Sequence, residues 1–405
     1  MKLHIAFAAP IATEHVAHLL RDGGAGLPPG YGGAPFTGVL IGELLRQGHR
    51  VSAFTTDHSM YGAAETVHAA GENFDFYLCA ERPRAWRPND RRLGRAVDAF
   101  GYEIGLLART MAESRPDIVH AHWSYEFALA ALRLPTPHLI TCHDAPGVVL
   151  RFNPYPFRAV RYLMARRVFG RGRHFSTVSA YMREQLRGLT RRAMHVVPNP
   201  LADYVLASGR AGRPLPATRR IAMAANGWDA RKNAQAGLAA FAEFRRQAPH
   251  AELHVFGQAF GPGQAAEQWC IQNGMADGVR FHGVTPHRRL AELLNQMDAL
   301  LHPALEESFG VVLAEAMALG LPVVAGRDSG AAPWVLGADA ADGGCAELTD
   351  VADSAAIAAA LRRLFDDRYA ERSARGFARA RAMFAPEPIV SAYVDLYRDA
   401  MAGVR

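Results

Sequence analysis

Short strand-like runs alternate with longer helix-like stretches along almost the whole chain, and this alternation constrains the fold most strongly. The first run, LHIAFA, is followed by a loop rich in glycine and proline and then by FTGVLIGELLRQGH, which has helical spacing. Repeated strand–helix–strand units predict a parallel, doubly wound α/β sheet. Ligands of such sheets bind beyond the carboxyl ends of the strands. We therefore expect the functional residues to follow strands.

The alternation is interrupted once, by a stretch rich in Gly, Pro and Ala at residues 199–218, and then resumes with the strand-like RRIAMAAN. A chain of 405 residues is long enough for two domains of ordinary size. The sequence predicts two Rossmann-like, doubly wound domains, residues 1–205 and 206–385, which face each other across a cleft. The amphipathic tail, residues 386–405, is predicted to pack back on the N-terminal domain.

Composition narrows the classes of function. The net charge of +6 comes mainly from arginine, since Lys2 and Lys232 are the only lysines. The sequence contains no RRM, zinc-finger or helix-turn-helix pattern, so we expect no nucleic-acid partner. Its four cysteines are far apart and form no C-x-x-C, which favours a reducing cytoplasm. The N-terminal MKLHIAFAAPIA resembles a signal peptide only faintly, and a first buried strand is the preferred interpretation.

The stretch ESFGVVLAE places two carboxylates, Glu307 and Glu315, around an aromatic residue, a glycine and an apolar run. Gly320 and Pro322 mark the end of a helix, so Glu307 lies in the loop before that helix and Glu315 lies two turns inside it. A helix N-terminus favours an anion such as a diphosphate. A carboxylate beside a diphosphate repels it and must face hydroxyls instead. Two solvated surface glutamates are the alternative interpretation.

The surrounding segment, ALLHPALEESFGVVLAEAMALGLPVVAG, closely resembles the E-x7-E region of the retaining glycosyltransferases of family 4, which have the GT-B fold. Other segments agree in their order along the chain: PDIVHAHW, TCHD, FSTVSAYMREQL, VVPNP and VRFHGV. The resemblance implies a cytoplasmic retaining hexosyltransferase that needs neither metal nor cofactor and uses a nucleotide-sugar, with a UDP-sugar expected. The implied acceptor is a hydroxyl of a glycan or lipid-linked molecule in cell-envelope polysaccharide biosynthesis.

The resemblance also implies a role for each matching residue. Glu315 is expected to bind the ribose hydroxyls, and Glu307 the hydroxyls of the transferred sugar. Lys232 in DARKN matches the phosphate-binding lysine, and His143 in TCHD matches a histidine beside the donor sugar. Glu307, His143 and Lys232 are the expected catalytic group. The other expected donor contacts are Ser308, Phe309, Gly310, Val311, Arg231, Gly283 and Val284, and Gly32 and Gly33 belong to an acceptor or diphosphate loop.

One position departs from the family pattern. The family usually has an arginine directly after the glycine that ends this strand, whereas here Gly227 is followed by Trp228. Arg231 is the residue we expect to supply the missing charge from a shifted position. If neither residue reaches the diphosphate, transfer would be weak or the donor unusual.

Two further segments have competing interpretations. His120 and His122 in HAHW lie on one side of a strand, as a metal pair would, but no third ligand at suitable spacing accompanies them. We therefore expect no metal site. Arg151 to His174 carries many arginines among apolar residues. It is either a basic helix that meets anionic lipid at the inner face of the membrane or a solvated helix with an apolar underside.

Three other functions remain as alternatives: a GT-B phosphorylase, a nucleotide-sugar epimerase, and a catalytically weak protein that binds a nucleotide-sugar. A dinucleotide-dependent oxidoreductase is disfavoured. The chain contains no G-x-G-x-x-G after a strand with an acidic residue about twenty positions on.

Overall fold

The computed structural model describes residues 2–338 and 344–403. The strands in this part of the chain are β1 (His4–Ala8), β2 (Arg50–Asp57), β3 (Thr66–Ala70), β4 (Phe74–Ala80), β5 (Ile118–His122), β6 (His138–Cys142), β7 (Phe175–Thr177), β8 (Met194–Val196), β9 (Arg220–Ala224), β10 (Glu252–Phe256), β11 (Val279–Gly283), β12 (Ala299–His302), β13 (Val323–Gly326) and β14 (Ala346–Thr349).

The α-helices are α1 (Thr13–Val16), α2 (Phe36–Arg46), α3 (Gly101–Glu113), α4 (Glu126–Ala131), α5 (Pro146–Phe152), α6 (Pro156–Arg171), α7 (Ala180–Leu186), α8 (Asp203–Ser208), α9 (Ala234–Arg245), α10 (Ala265–Gln272), α11 (His287–Leu294), α12 (Val311–Ala318), α13 (Ala332–Val335), α14 (Ser354–Leu364), α15 (Tyr369–Phe384) and α16 (Pro386–Ala402).

The chain divides into two compact units. The N-terminal unit comprises Met1–Pro200 and Pro386–Arg405, and the C-terminal unit comprises Leu201–Ala385. Helix α16 therefore belongs to the N-terminal unit, where Ile389, Tyr393 and Tyr397 are buried. Burying this apolar face stabilises the return of the chain to the first unit.

The N-terminal unit is built on an eight-stranded sheet with the order β3-β4-β2-β1-β5-β6-β7-β8. All neighbouring pairs are parallel except β3 and β4, which pair antiparallel at one edge. The alternation of strands and helices in the sequence does not predict this hairpin. Its turn depends on Gly71, whose N–H donates to the carbonyl of Phe74 at 2.6 Å, and on Asn73, which has a φ of 53°. Asparagine adopts this left-handed conformation more readily than most residues.

The C-terminal unit is built on a six-stranded parallel sheet with the order β11-β10-β9-β12-β13-β14. Chain order reverses between β9 and β12 here, and between β1 and β5 in the first sheet. The crevice at the carboxyl ends of the strands beside such a reversal is the usual ligand position in open α/β sheets. Lys232 follows β9 and Glu307 follows β12, the two strands at the reversal of the C-terminal sheet. His143 follows β6, which is next to β5 in the N-terminal sheet.

Within residues 2–338 and 344–403, no helix is both long and apolar enough to cross a membrane.

Candidate functional site

An ion pair joins two of the predicted site residues in the C-terminal unit. Lys232 Nζ lies 2.5 Å from Glu307 Oε1, and the two side chains are only 13% and 12% exposed. The residues are distant in sequence and meet because β9 and β12 are neighbours in the sheet. The structure thus brings together the expected phosphate-binding lysine and the first carboxylate of ESFGVVLAE.

The loop that carries Lys232 is fixed at both ends. Asp229 Oδ1 accepts hydrogen bonds from the backbone N–H groups of Arg231 at 3.0 Å and Lys232 at 3.2 Å. Asn233, with a φ of 51°, donates from Nδ2 to the carbonyls of Pro303 at 3.0 Å and Val351 at 2.7 Å. Few residue types combine a left-handed backbone with a side chain that bonds in this way. The loop therefore holds Lys232 without help from a ligand.

Two neighbouring groups control the charge of Glu307. Burial alone would raise the pKa of its carboxyl group, but Lys232 and His302 outweigh burial and leave the pKa well below its usual value. His302 Nε2 lies 3.2 Å from Glu307 Oε1. Glu307 is therefore an anion throughout the ordinary pH range. Sequence reasoning missed His302, because nothing in ALLHP indicates that this side chain turns toward the carboxylate.

Gly310, three residues after Glu307, is the N-cap of helix α12. Its φ is 79°, a left-handed conformation that glycine adopts at little cost, and a Cβ there would lie 2.8 Å from the Leu313 side chain. Phe309 is buried against the ring of Phe384 at 5.4 Å, so only its backbone can serve a ligand. The first N–H groups of a helix have no partner inside the helix. These amides and Lys232 therefore make the start of α12 electropositive.

Glu315 lies inside α12, and its side chain is 6% exposed. His287 Nε2 lies 2.5 Å from Glu315 Oε1, and the other ring nitrogen of His287 contacts the hydroxyl of Tyr204. The segment TPHRR carries no recognisable motif, so the sequence does not indicate a role for His287.

The structure shows how Trp228 and Arg231 are used. Trp228 packs against the apolar core of the unit, with its ring 5.8 Å from Phe260 and 6.1 Å from Trp269. Arg231 turns toward the segment before Glu307, where Nη1 lies 3.3 Å from the carbonyl and 3.5 Å from the carboxylate of Glu306. Burial raises the pKa of Glu306, and Arg231 opposes this effect.

Gly283 and Val284 form the turn after β11. Gly283 has a φ of 70°, and a Cβ there would come within 3.0 Å of the Gly261 backbone. Its N–H donates to the carbonyl of Phe260 at 2.9 Å. Val284 is 75% exposed, so its apolar surface is open to a planar ligand.

His143, in the N-terminal unit, is the end of a buried row of histidines. Its Nε2 lies 2.8 Å from Nδ1 of His122, so one of these two nitrogens must donate to the other. Trp123 and Phe36 stack on the His143 ring at 4.3 Å and 4.9 Å. His143 Nδ1 and His122 Nε2 have no hydrogen-bond partner within the described residues. Trp123 has a φ of 63°, the kind of backbone strain that is retained at functional sites.

The row continues to helix α16. His120 lies 4.1 Å from His122 between ring centroids and makes two side-chain hydrogen bonds of 2.7 Å, to the hydroxyl of Tyr397 and to Oγ1 of Thr141. His120 is thus a satisfied core histidine. No group of three or more His, Cys, Asp or Glu side chains is arranged to hold a metal ion in the described parts of the chain.

The glycine-rich loop that precedes α2, residues 23–35, borders a cavity of about 410 Å³ in the N-terminal unit. Gly30 is the glycine that the loop structurally requires, because a Cβ there would lie 2.5 Å from the carbonyl of Ile11. Gly32 and Gly33 have open space around the position of a Cβ. The cavity lining includes Tyr31, Gly32, Thr56, His58, Glu81 and Arg95.

Comparison with known proteins agrees with this geometry. A family model described as Glycosyltransferase Family 4 matches residues 32–202, and one described as Glycosyl transferases group 1 matches residues 218–367. Together they cover most of both units. The chain belongs to the family-4-type glycosyltransferases of the GT-B fold.

Individual relatives match less of the chain. The D-inositol 3-phosphate glycosyltransferase of Thermomonospora curvata is 35% identical over 156 residues, which are 37% of this chain and 35% of that protein. The match thus spans about a third of the relative's length. The residues described above are therefore candidates by their position in the site rather than by overall identity.

Solved structures show the same fold over the whole chain. Sucrose-phosphate synthase from Thermosynechococcus elongatus superposes with a TM-score of 0.76 and 19% identity, covering 99% of this chain and 100% of that chain. HepE of Anabaena in complex with UDP-glucose gives a TM-score of 0.65 and 16% identity, covering 98% and 100%. At these identities the likeness establishes the fold.

The role of Asn233 can be separated into its backbone and its side-chain parts. We expect Asn233→Gly to lose the two side-chain hydrogen bonds while keeping the left-handed backbone. Asn233→Ala should lose both and lower the free energy of unfolding of the C-terminal unit further, by about 1 kcal/mol. Hydrogen exchange of β9 and α9 measures the difference. Equal stability of the two variants would show that the backbone conformation at this position costs nothing.

The buried histidines predict loss of stability in acid. Burial lowers the pKa of His143 to about 3 and lowers the pKa values of His120 and His122 well below 6.5. In the unfolded chain each protonates near pH 6.5. The free energy of unfolding is therefore highest above that pH, where these histidines are neutral in both states. It falls as the pH drops toward 3, by about 1.4 kcal/mol per pH unit for each histidine, because the unfolded chain binds a proton that the folded chain does not.

Hydrogen exchange of β5 and β6, corrected for the intrinsic pH effect, measures this loss between pH 7 and pH 5. His143→Gln should reduce the slope of the free energy of unfolding against pH, because one proton fewer is taken up on unfolding. An unchanged slope in that variant would show that His143 titrates normally in the folded protein.

Proposed function

We propose that this protein is a retaining glycosyltransferase that moves a hexose-type sugar from a nucleoside-diphosphate sugar to a hydroxyl of a glycan or lipid-linked acceptor. The observation that carries the proposal is the buried Lys232–Glu307 pair at the start of α12. A cation beside the N-terminus of a helix suits a diphosphate, and an ionised carboxylate beside it suits sugar hydroxyls. Family membership supports both assignments.

The donor would occupy the C-terminal unit. Its diphosphate would bind the amides that begin at Ser308 and run into α12, with Lys232 neutralising the charge that develops on the leaving group. Glu315 would accept hydrogen bonds from the ribose hydroxyls. These hydroxyls would bind the carboxylate together with His287 or would displace His287 from it. Arg231 would add a second positive charge. Gly283 and Val284 would border the nucleobase.

His143 would position the transferred sugar. Its buried Nδ1 has no partner within the described residues, and an unpaired buried nitrogen is costly. A sugar hydroxyl at this atom would supply the missing hydrogen bond. Because His143 shares a hydrogen bond with His122, the tautomer of one ring fixes which nitrogen of the other carries its proton.

The chemistry we propose proceeds on one face of the sugar. The bond between the anomeric carbon and the diphosphate oxygen breaks, the acceptor oxygen bonds to the anomeric carbon from the same side, and a leaving phosphate oxygen takes the acceptor proton. No side-chain nucleophile is then required. Lys232 and the α12 amides would do most of the work by stabilising negative charge, so no metal is needed in this scheme.

The donor base and the cellular setting are also parts of the proposal. A UDP-sugar is favoured by the frequency of uridine donors in the family and by the fold relative that was solved with UDP-glucose. The four cysteines are buried thiols, which suits a reducing cytoplasm. We place the reaction in cell-envelope polysaccharide biosynthesis, with peripheral contact between the protein and the inner face of the membrane.

Lys232 provides a sharp test, because Lys2 is the only other lysine. Lys232→Ala should reduce turnover on the order of 10²–10³-fold, the usual effect of removing one group that stabilises charge in the transition state. Exposed Lys2→Ala is the matched control and should leave turnover unchanged. Because Lys232→Ala leaves Glu307 without its main partner, the double variant Lys232→Met, Glu307→Gln should recover stability without recovering turnover. An active Lys232→Ala enzyme would overturn the assignment.

Donor binding is tested by thermal unfolding with UDP, GDP, ADP, NAD and nucleotide-sugars, with and without EDTA. A ligand at about 100 times its Kd stabilises the folded protein by about 2.7 kcal/mol. We expect a rise in Tm with UDP that EDTA does not remove and that Glu315→Ala abolishes. No rise with any nucleoside diphosphate would reject the donor site. A rise without measurable transfer or donor hydrolysis would favour a binding protein, and turnover with free phosphate as acceptor a phosphorylase.

A further inference from the structure

Exposed apolar side chains are concentrated in one connection of the N-terminal unit. Among the described residues nine large hydrophobic side chains are exposed, and three of them, Trp86, Leu93 and Val97, lie between β4 and α3 with exposures of 48%, 57% and 52%. Single exposed apolar residues are ordinary, whereas a group of them in one long loop indicates an interaction surface. We call residues 81–100 the arginine loop.

The same loop carries a strong positive charge. It contains six arginines, of which Arg82 and Arg95 form ion pairs with acids of the same unit. The other four are exposed at the loop surface: they are Arg84, Arg87, Arg91 and Arg92. The loop also has two exposed acids, Asp90 and Asp98, of which Asp98 pairs with Arg82. Apolar side chains interleaved with arginines that have no acidic partner among the described residues suit a binding partner whose surface is both apolar and anionic.

The shape of the loop is fixed from inside. The guanidinium group of Arg82 is 1% exposed and donates to Glu103 Oε2 and Asp98 Oδ1, both at 2.7 Å. Asn89 Oδ1 accepts from the N–H of Arg84 at 2.9 Å, and Asn89 Nδ2 donates to the carbonyl of Arg84 at 3.0 Å. The loop therefore holds its apolar side chains outward without collapsing onto the unit, so little order has to be gained on docking.

The segment that the sequence indicated for membrane contact, Arg151 to His174, differs from the arginine loop in its exposed surface. Residues 151–174 include the last two residues of α5 and the whole of α6, and the apolar side of α6 is buried in the unit through Met164, Val168 and Phe169. Its exposed face keeps Arg166, Arg167 and Leu163. The helix therefore has basic surface but has already used most of its apolar surface in the core.

The arginine loop adjoins this helix. At the end of the loop, the ring of Phe100 lies 6.0 Å from the ring of Phe157 in α6, and the guanidinium carbon of Arg161 lies 5.4 Å from the centroid of Phe100. The end of the loop and the first part of α6 are therefore in contact.

We propose that the arginine loop docks this protein on a bilayer that contains anionic lipids. The three exposed apolar side chains would lie at the boundary between headgroups and acyl chains, where tryptophan is favoured, and the four exposed arginines would bind lipid phosphates. This inference refines the membrane contact in the proposed function by assigning it to the loop, with α6 as a basic flank. Docking needs no glycosyl transfer, so each can fail without the other.

Vesicle flotation of the full chain tests the charges. We expect binding to phosphatidylcholine vesicles that contain phosphatidylglycerol, little binding to phosphatidylcholine alone, and release by salt. One charge near such a surface changes binding about fivefold. Reversal of two charges by Arg91→Glu, Arg92→Glu should therefore weaken binding on the order of twentyfold or more. The matched control is Arg191→Glu, Arg192→Glu, an adjacent exposed pair in the same unit.

Equal loss in the two double variants, or equal binding to neutral vesicles, would overturn the proposal. So would an Arg91→Glu, Arg92→Glu protein that loses binding to RNA when the wild type binds RNA but no vesicles. Both double variants should keep the rise in Tm with UDP. If the wild type binds vesicles as expected but no nucleotide, docking stands and the proposed donor site falls.

Trp86 tests insertion separately from charge. Trp86→Ser should weaken vesicle binding several-fold, whereas Ile271→Ser, which removes a 64% exposed apolar side chain from the other unit, should not. Fluorescence that is present in the wild type and absent in Trp86→Phe should shift to shorter wavelength when anionic vesicles are added. No shift, or equal effects of the two serine variants, would overturn insertion of the loop.

Discussion

The ion pair between Lys232 and Glu307 is the interaction on which the candidate donor site depends. A carboxylate this deeply buried would ordinarily take up a proton, but the ammonium group 2.5 Å away keeps it charged. In return, the carboxylate holds the lysine at the mouth of α12, ready for a second anion. The carboxylate therefore compensates the buried ammonium charge when no ligand is bound, so the folded protein can keep this charge beside the N-terminus of α12.

The sequence was informative where function depends on local pattern. Alternating strands and helices predicted a doubly wound α/β fold. The helix-ending signals Gly320 and Pro322 correctly placed Glu307 before a helix and Glu315 inside it, although Glu315 is little more than one turn from the start at Val311 rather than two. The Lys232–Glu307 contact crosses from one strand end to the next. It was foreseen as a shared role only through resemblance to a family, because neither local segment specifies the partner.

Other features depend on tertiary contacts that no short segment reveals. His302 and His287 approach the two glutamates from separate strands and helices, and their own segments resemble ordinary strand ends and helix starts. Trp228 illustrates the converse: it departs from a family motif, yet its indole has a clear role in the core. The hairpin of β3 and β4 was missed because its alternating strands are short and partly polar.

The near absence of lysine has a chemical consequence. Only two side-chain amines exist in the chain, one exposed at Lys2 and one 13% exposed beside Glu307. An acylating reagent would therefore meet almost no competing targets, and the extent of its reaction at Lys232 would depend on whether the carboxylate or a bound anion shields the amine. The extent of covalent labelling at Lys232 can thus report whether an anion occupies the candidate donor site, even when no reaction product has been identified.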